Sequence, residues 1–163
     1  MRARLPALYP RLWRFALSLS GDRSGADDLA QATAMRALEH ADRFEAGTAL
    51  DVWLFTIARR IWLNERRAER IRSAGGLVSV DEFDLPAPGP DAETNIFARQ
   101  VFDQVMALPE AQRSTVLLVY VEGYAYREAA EILGIPIGTV MSRLAAARAK
   151  IQKAPDMRKA RSR

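Results

Sequence analysis

The sequence predicts an all-α protein in which two small helical domains are joined by a flexible linker. Apolar residues recur at the spacing of amphipathic helices through both halves of the chain. Between the halves, residues 73–90 contain adjacent glycines and three prolines, and the stretch is long for an ordinary loop. Residues 127–148 have the pattern of a helix-turn-helix. We therefore expect domains at 1–72 and 91–154, the linker at 73–90 and a frayed basic tail at 155–163.

The first domain is predicted to contain three helices. The first helix ends at Gly21, and Ser24 with Asp27 has the spacing of a capping box for the second, which runs to about Ala41. A loop at 42–48 precedes a long third helix, from about Ala49 to Arg70. The apolar stripes of these helices are Leu8, Leu12, Phe15, Ala16 and Leu19; Leu29, Ala30, Thr33, Ala34, Ala37, Leu38 and Ala41; and Leu50, Leu54, Ile57, Ala58 and Ile61.

The second domain is predicted to begin with a helix near Asp91 to Ala107, and Pro109 can open another helix that ends before Gly123. In the helix-turn-helix, the first helix ends at Gly134 and a proline makes the turn. The second helix has a buried stripe of Val140, Leu144, Ala147 and Ile151, with Thr139, Ser142, Arg143 and Lys150 pointing away from it. Such a unit serves mainly to place its second helix in the major groove of DNA. The alternative is an ordinary αα-hairpin within a bundle.

Composition favours a cytoplasmic protein without membrane insertion. The 163 residues are 49% hydrophobic, include no cysteine, and contain no apolar run long enough to span a membrane. The N-terminus lacks the features of a signal peptide. The net charge of +4 is unevenly spread, because two basic segments, 59–72 and 137–163, flank the acidic segment 76–110. This layout suggests two units that bind a polyanion, although solvated helix faces also carry charge by chance.

Two of the predicted helices have exposed faces whose residues are suited to binding a partner. On the third helix, Phe55, Arg59, Trp62 and Arg66 are expected along one exposed face, and Trp53, Thr56, Arg60 and Arg67 along the next. Aromatic rings stack on unpaired bases while arginines neutralise phosphates, so this mixture suits a strand that has left the duplex. The alternative is that Trp53 and Phe55 belong to the core.

On the second helix, Asp28, Gln31, Met35 and Glu39 lie opposite the apolar stripe. This acidic, partly apolar face suits a protein partner with basic residues, unless it is merely a solvated face.

Catalysis has little support in the sequence. The single histidine, His40, is expected on the surface, and no phosphate-binding loop or metal-ligand spacing is present. Asp27 and Asp28 point about 100° apart on a helix, so they do not form an acid–base pair. We expect no enzymatic activity, no cofactor, no metal and no small-molecule substrate.

Taken together, these motifs resemble the extracytoplasmic-function (ECF) class of bacterial RNA polymerase sigma factors. The segments that resemble region 2 of that family are Asp27 to Gln31, Asp42 to Phe44, Trp53 to Arg59 and Asn64 to Arg67. Those that resemble region 4 are Leu108 to Arg113, Val121 to Tyr124 and Arg127 to Leu144. Each motif is modest alone, but their order and spacing are specific.

The resemblance implies three partners: core RNA polymerase, promoter DNA and an anti-sigma factor. Core polymerase would bind Asp28, Gln31 and Met35. The loop at 42–48 would take up a base flipped from the −10 element, which costs a few kcal/mol of unstacking. Residues implied at the −10 element are Arg43, Phe44, Trp53, Phe55, Arg59, Arg60, Trp62, Asn64, Arg66 and Arg67. Those implied at the −35 element are Thr139, Met141, Ser142, Arg143, Ala146, Arg148 and Lys150.

Several positions depart from the family pattern. An acidic residue usual after the region 2 glutamine is Ala32, and Arg60 and Asn64 replace other residues common in the third helix. The hydroxyl that usually caps the first helix of the helix-turn-helix is replaced by Ala125. Recognition-helix positions that are often basic or bulky are Met141, Ala145 and Ala146, so arginine and lysine contacts to phosphates and DNA shape are expected to dominate there. An initial helix common in the family is expected to be missing.

Two other classes remain open at this stage. A free-standing helix-turn-helix regulator would explain residues 127–150 but leaves the aromatic helix and the acidic face without a role. A sigma-like mimic that sequesters an anti-sigma factor would explain the resemblance without promoter binding.

Overall fold

The computed structural model describes residues 1–45, 47–73 and 92–153, with side chains for all of these except 92–97 and 152–153. Within these ranges the secondary structure is helical, which confirms the predicted all-α class. The helices are α1 (Leu5–Ser20), α2 (Arg23–Glu39), a 3₁₀ turn (Ala41–Arg43), α3 (Leu50–Ser73), α4 (Ala92–Met106), α5 (Glu110–Val116) with a π-helical turn (Leu117–Val121), α6 (Tyr126–Leu133) and α7 (Ile137–Lys153). The predicted linker and most of the basic tail lie outside the described residues.

Helices α1, α2 and α3 form a three-helix bundle around a dense apolar core. Most residues of the predicted stripes supply this core, with Leu12, Phe15, Leu29 and Leu54 all 2% exposed or less, but Leu38 of the α2 stripe is 38% exposed. Helix α1 ends at Gly21, whose φ of 87° places it in the left-handed region that favours glycine. The predicted capping box for α2 is wrong, because Asp22 is the N-cap and its carboxylate accepts from Gly25 N–H at 2.8 Å. Asp22 directly follows Gly21, so it is the first residue whose side chain can accept from the free N–H groups at the start of α2.

The helix-turn-helix forms where the sequence predicts it. Gly134 ends α6 with a φ of 56°, and α7 begins at Ile137 after the proline. Val140, Leu144 and Ala147 have no exposed surface, so the predicted stripe of α7 packs inward. At Ala125 one half of a capping box remains, because Glu128 Oε2 accepts from the Ala125 N–H at 2.8 Å.

The two halves pack directly against each other in this structure. Helix α1 lies against α5, and α3 lies against α6, so the buried side chains of both halves form one continuous cluster. The π-helical turn after α5 belongs to this junction. The N–H of Glu122 donates to Leu117 O at 2.9 Å, and the extra residue in the turn lets the Glu122 side chain face α1.

No single helix among the described residues is long and apolar enough to cross a membrane. Helices α6 and α7 meet the length and composition criteria only when taken together, and they are bent by 103° with respect to each other.

Candidate functional site

An open pocket of about 400 Å³ lies beside the first two turns of α3. Arg43 of the 3₁₀ turn, Thr48 of the loop, and Trp53 and Arg60 of α3 line it. The ring of Phe44 packs against Trp53 with centroids 5.4 Å apart, which fixes one wall. The loop is held in shape by Thr48, whose hydroxyl and N–H both donate to Glu45 O. The structure thus brings together four of the residues predicted for a single-stranded nucleic acid.

Phe55 does not belong to this surface, so its predicted place on an exposed face is wrong. It is 1% exposed, lies 4.8 Å from the ring of Phe15, and meets Tyr124 edge-on at 5.9 Å. The reason is geometric: Phe55 neighbours Leu54 and Ala58 on the helix, both of which face the core. The alternative that Phe55 is a core residue is the correct one.

Arg59 also points away from the pocket, toward the helix-turn-helix. A Cβ placed on Gly134 would lie 3.3 Å from Arg59 Nη1, so the guanidinium lies against the turn between α6 and α7. Burial lowers the pKa of Arg59, and the positive charge of Arg143 on α7 lowers it further. Two residues predicted for different DNA elements are therefore neighbours in this structure.

The end of α3 lines a second, separate groove. Trp62 and Arg66 face the start of α2 there, with the Arg66 guanidinium 5.5 Å from the Trp62 ring. Burial raises the pKa of Glu65 in the same groove, and the nearby carboxylates of Glu69 and Asp28 raise it further. Asn64 and Arg67 are exposed and line neither the pocket nor the groove. Of the two neighbouring faces predicted for α3, one thus contributes Trp62 and Arg66 to this groove, and the other contributes Trp53 and Arg60 to the pocket.

The acidic face of α2 is open to solvent as predicted. Asp28 and Gln31 are exposed, and the Met35 side chain, at 63% exposure, is among the most exposed large apolar residues of the described chain. The adjacent Asp27 is engaged instead with Trp13 of α1, whose indole N–H donates to it at 2.6 Å. Sequence reasoning missed Trp13, although an aromatic residue off the apolar stripe of α1 was a signal.

The outward surface of α7 carries few large groups. Met141, Ser142, Arg148 and Lys150 are exposed, while Thr139, Arg143 and Ala146 are partly covered. The Ser142 hydroxyl donates to Thr139 O at 3.0 Å, so it is engaged with its own helix. Positive charge on this surface comes from Arg143, Arg148 and Lys150.

A polar cluster at the junction of the two halves was not predicted. Arg11 of α1 donates to Glu122 Oε2 at 2.6 Å, to Asp51 Oδ2 at 2.8 Å and to the Tyr124 hydroxyl at 3.2 Å. The Tyr124 hydroxyl donates to Asp51 Oδ2 at 2.6 Å, and Arg14 donates to the other oxygen of Glu122 at 2.9 Å. Burial raises the pKa of Tyr124, and its hydrogen bond to Asp51 raises it further. Glu122 and Tyr124 belong to a motif visible in the sequence, but the residues around them do not indicate that these side chains contact α1.

A second unpredicted contact is made by Arg113 of α5, which is 8% exposed. Its Nε donates to Ser18 O at 2.6 Å and its Nη2 to Leu19 O at 3.3 Å, both in the last turn of α1. The same guanidinium donates to Met106 O and Leu108 O within its own half. Among the described residues, no group of histidine and acidic side chains could hold a metal ion.

Comparisons with known proteins agree on one family. Residues 6–71 match the family model for Sigma-70 region 2, and residues 98–151 match that for Sigma-70, region 4. The chain is 37% identical over 153 residues to the ECF RNA polymerase sigma factor EcfG of Rhodopseudomonas palustris, covering 93% of this chain and 82% of that one. It is 35% identical over 136 residues to SigL of Mycobacterium tuberculosis, covering 82% and 76%.

A solved structure matches both halves at once. The sigma factor RpoE of Bartonella quintana, in complex with the anti-sigma factor NepR, has a TM-score of 0.74 at 33% identity over 93% of this chain and 94% of that one. The fold, both region models and these relatives lead to the same conclusion: the chain belongs to the ECF class of RNA polymerase sigma factors.

Proposed function

We propose that this sigma factor uses three surfaces: the acidic face of α2 for core RNA polymerase, the pocket beside Trp53 for the −10 element, and the outward surface of α7 for the −35 element. The observation that carries the proposal is the pocket, where the tilted ring pair of Phe44 and Trp53 and two arginines surround a space of about 400 Å³. That volume lies within the range of pockets that take small organic groups, such as a flipped base.

The polymerase contact is proposed at Asp28, Gln31 and Met35. An exposed methionine between acidic and amide side chains offers apolar area at the centre and complementary charge at the rim. The −10 strand would meet Arg43, Phe44, Trp53 and Arg60 at the pocket. It would then continue along the outer part of α3, whose remaining proposed residues are Arg59, Trp62, Asn64, Arg66 and Arg67.

The −35 duplex is proposed to lie against α7, with phosphates neutralised by Arg143, Arg148 and Lys150 and the groove floor met by Thr139, Met141, Ser142 and Ala146. The domains would span 1–72 and 91–154, connected by 73–90 and followed by the basic tail 155–163. The chain would act in the cytoplasm beside polymerase, without catalysing a reaction itself. We further propose an anti-sigma factor as a partner, because the structurally similar RpoE was solved with one.

Run-off transcription tests this function. Core RNA polymerase with this protein should yield discrete transcripts from genomic fragments, including the region upstream of its own gene. Trp53→Ala should abolish them while retaining core binding, and Asp28→Lys should abolish core binding itself. Asp27→Asn is the matched control for the second variant, because Asp27 is engaged with Trp13.

The outcomes also separate the alternatives. Binding to core without any transcript would favour a sigma-like mimic. Tight promoter binding by the isolated protein, without any affinity for core, would favour a free-standing regulator.

A further inference from the structure

We infer that Glu45 sets the base specificity of the pocket beside Trp53, so that the pocket accepts a base that carries an exocyclic amine and rejects thymine. The inference rests on the proposed binding of a flipped −10 base in this pocket, and it names the class of base. The observation that carries it is a lone acidic side chain in a basic site. Among the described residues that line the pocket, Glu45 is the one acid, and the other charged residues are Arg43 and Arg60.

The exposed Glu45 is held at the pocket from both sides along the chain. The ring of the preceding Phe44 packs against Trp53, and the Phe44 N–H donates to Ala41 O at 3.3 Å. The Glu45 carbonyl accepts from the Thr48 N–H at 3.2 Å and from the Thr48 hydroxyl at 2.8 Å. These contacts fix the backbone from which the carboxylate extends. The position of the acid is therefore a property of the loop and not of a freely moving segment.

The carboxylate of Glu45 is available to a bound group. No described residue forms an ion pair or a side-chain hydrogen bond with it, although two guanidinium groups line the same pocket. The two threonine hydroxyls of the pocket already donate within the protein, Thr48 to Glu45 O and Thr56 to Val52 O. The strongest acceptor that the pocket offers to a base is thus this carboxylate, and its charged donors are the arginines.

A carboxylate is unfavourable in a nucleic-acid site unless a base makes use of it. Phosphates repel the carboxylate, and this repulsion is the same for every sequence. An amine on a base can donate to it, and hydrogen bonds to a charged group are about twice as strong as neutral ones. Glutamate therefore lowers the affinity for every strand and restores it only where the base donates. Specificity commonly arises from a repulsive group of this kind.

The chemistry of the base edges decides which bases the pocket accepts. Enzymes and binding proteins that take up a flipped base recognise it by hydrogen bonds to its pairing edge. Cytosine, adenine and guanine each carry an exocyclic amine that can donate to a carboxylate, and glutamate accepts from cytosine in this way in the major groove. Thymine has no amine, and its only N–H lies between two carbonyl oxygens. A carboxylate that approaches this N–H also faces a carbonyl oxygen, so thymine is disfavoured.

Titrations of the holoenzyme with single-stranded −10 oligonucleotides, followed by fluorescence anisotropy, test the inference. The promoter found by run-off transcription supplies the sequence, and each −10 position is changed in turn to each of the four bases. At one position, thymine should bind on the order of tenfold more weakly than cytosine. Uracil at that position should bind as weakly as thymine, because it has a carbonyl where cytosine has its amine.

Substitution of Glu45 should remove this preference. Glu45→Gln should bring cytosine and thymine to within about twofold of each other, because an amide can both donate and accept. The thymine oligonucleotide should also bind more tightly to this variant than to the unaltered protein, since a negative charge is lost. Glu45→Asp, which keeps the carboxylate, should retain the preference. Glu131→Gln, at an exposed position of α6 that does not line the pocket, is the matched charge control and should leave the ratio unchanged.

Three results would overturn the inference. The first is a ratio of cytosine to thymine affinity that Glu45→Gln leaves unchanged. The second is tightest binding of thymine at the position that responds to Glu45. The third is equal weakening of all four bases in Glu45→Gln, which would show that Glu45 only holds the two arginines in place.

Failure of the proposed function has a different signature. Trp53→Ala would then bind every oligonucleotide as tightly as the unaltered protein, and both the function of the pocket and its specificity would be wrong. Weakened binding by Trp53→Ala together with an unchanged ratio in Glu45→Gln would overturn the specificity alone.

Discussion

The two helices proposed to meet DNA differ in what they offer it. Helix α3 of region 2 carries a pocket with an aromatic wall, a second groove with Trp62, and several arginines. The outward surface of α7 in region 4 carries small side chains, a methionine and three cations. A shaped pocket can discriminate between bases by their size and edges, whereas aromatic stacking and cations on phosphates mainly supply affinity. We infer that region 2 contributes more of the sequence discrimination and that region 4 contributes more of the salt-dependent affinity.

The largest expected effect concerns the cores that hold these helices. Leu54→Ala in α3 and Leu144→Ala in α7 each truncate a side chain with no exposed surface, which should lower the free energy of unfolding by about 2–5 kcal/mol. Because the two halves share one buried cluster, both variants should shift a single thermal transition. All three tryptophans lie in the first half, so their fluorescence reports on that half alone.

Far-UV circular dichroism, which reports on both halves, provides the comparison. Coincident transitions by the two probes would support joint unfolding. If Leu144→Ala shifts only the circular dichroism curve, the two halves unfold independently and the packing between them is weaker than its contacts suggest.

The second-largest effect is expected at the pocket beside Trp53, which the first domain has and α7 lacks. Trp53→Ala should weaken binding of a single-stranded −10 oligonucleotide by about 1–3 kcal/mol, the usual contribution of stacking on one base. Trp53→Phe should retain most of the affinity because it keeps an aromatic wall against Phe44. Fluorescence anisotropy with labelled oligonucleotides in the presence of core polymerase measures both. Equal affinity in all three proteins would show that the pocket does not receive a base.

A smaller effect is expected on α7. Lys150→Gln should weaken binding of the −35 duplex uniformly across sequences and reduce the slope of log affinity against log salt by about 1. Titrations at several salt concentrations, on matched and altered −35 sequences, measure the slope. A loss confined to one base pair would contradict the assignment of α7 to phosphate contacts.

The smallest expected effect is on the free energy of unfolding at low pH. Burial alone would raise the pKa of Asp51, but hydrogen bonds from Tyr124 and the Val52 N–H and the charge of Arg11 together lower it below its ordinary value of 3.8. Ionised Asp51 therefore stabilises the folded form at neutral pH, and this contribution is lost only as the pH falls below 3.8. Glu122, Arg11 and Tyr124 are the other ionisable groups that face it.

Asp51→Asn isolates this contribution. Thermal unfolding between neutral and acidic pH should show a shallower loss of stability in the variant than in the unaltered protein. Parallel curves would show that Asp51 does not carry the effect, and that other carboxylates dominate acid unfolding.

The sequence by itself determined the helices and the family. Gly21 and Gly134 end helices because their left-handed conformations favour glycine, and the stripe of α7 follows from helical periodicity. These features depend on neighbours a few residues apart, so a local pattern suffices to predict them. The error at the N-cap of α2 was also local, since Asp22 and Ser24 are both capable caps.

Only the tertiary structure decided which faces are covered. Phe55 lies at the edge of the apolar stripe of α3, and it is buried because Phe15 and Tyr124 pack on it from distant parts of the chain. Arg113 and Glu122 likewise find their partners about a hundred residues away, in α1. Such pairings depend on how whole helices are placed against each other, and that placement is set by the combined core rather than by any segment of the sequence.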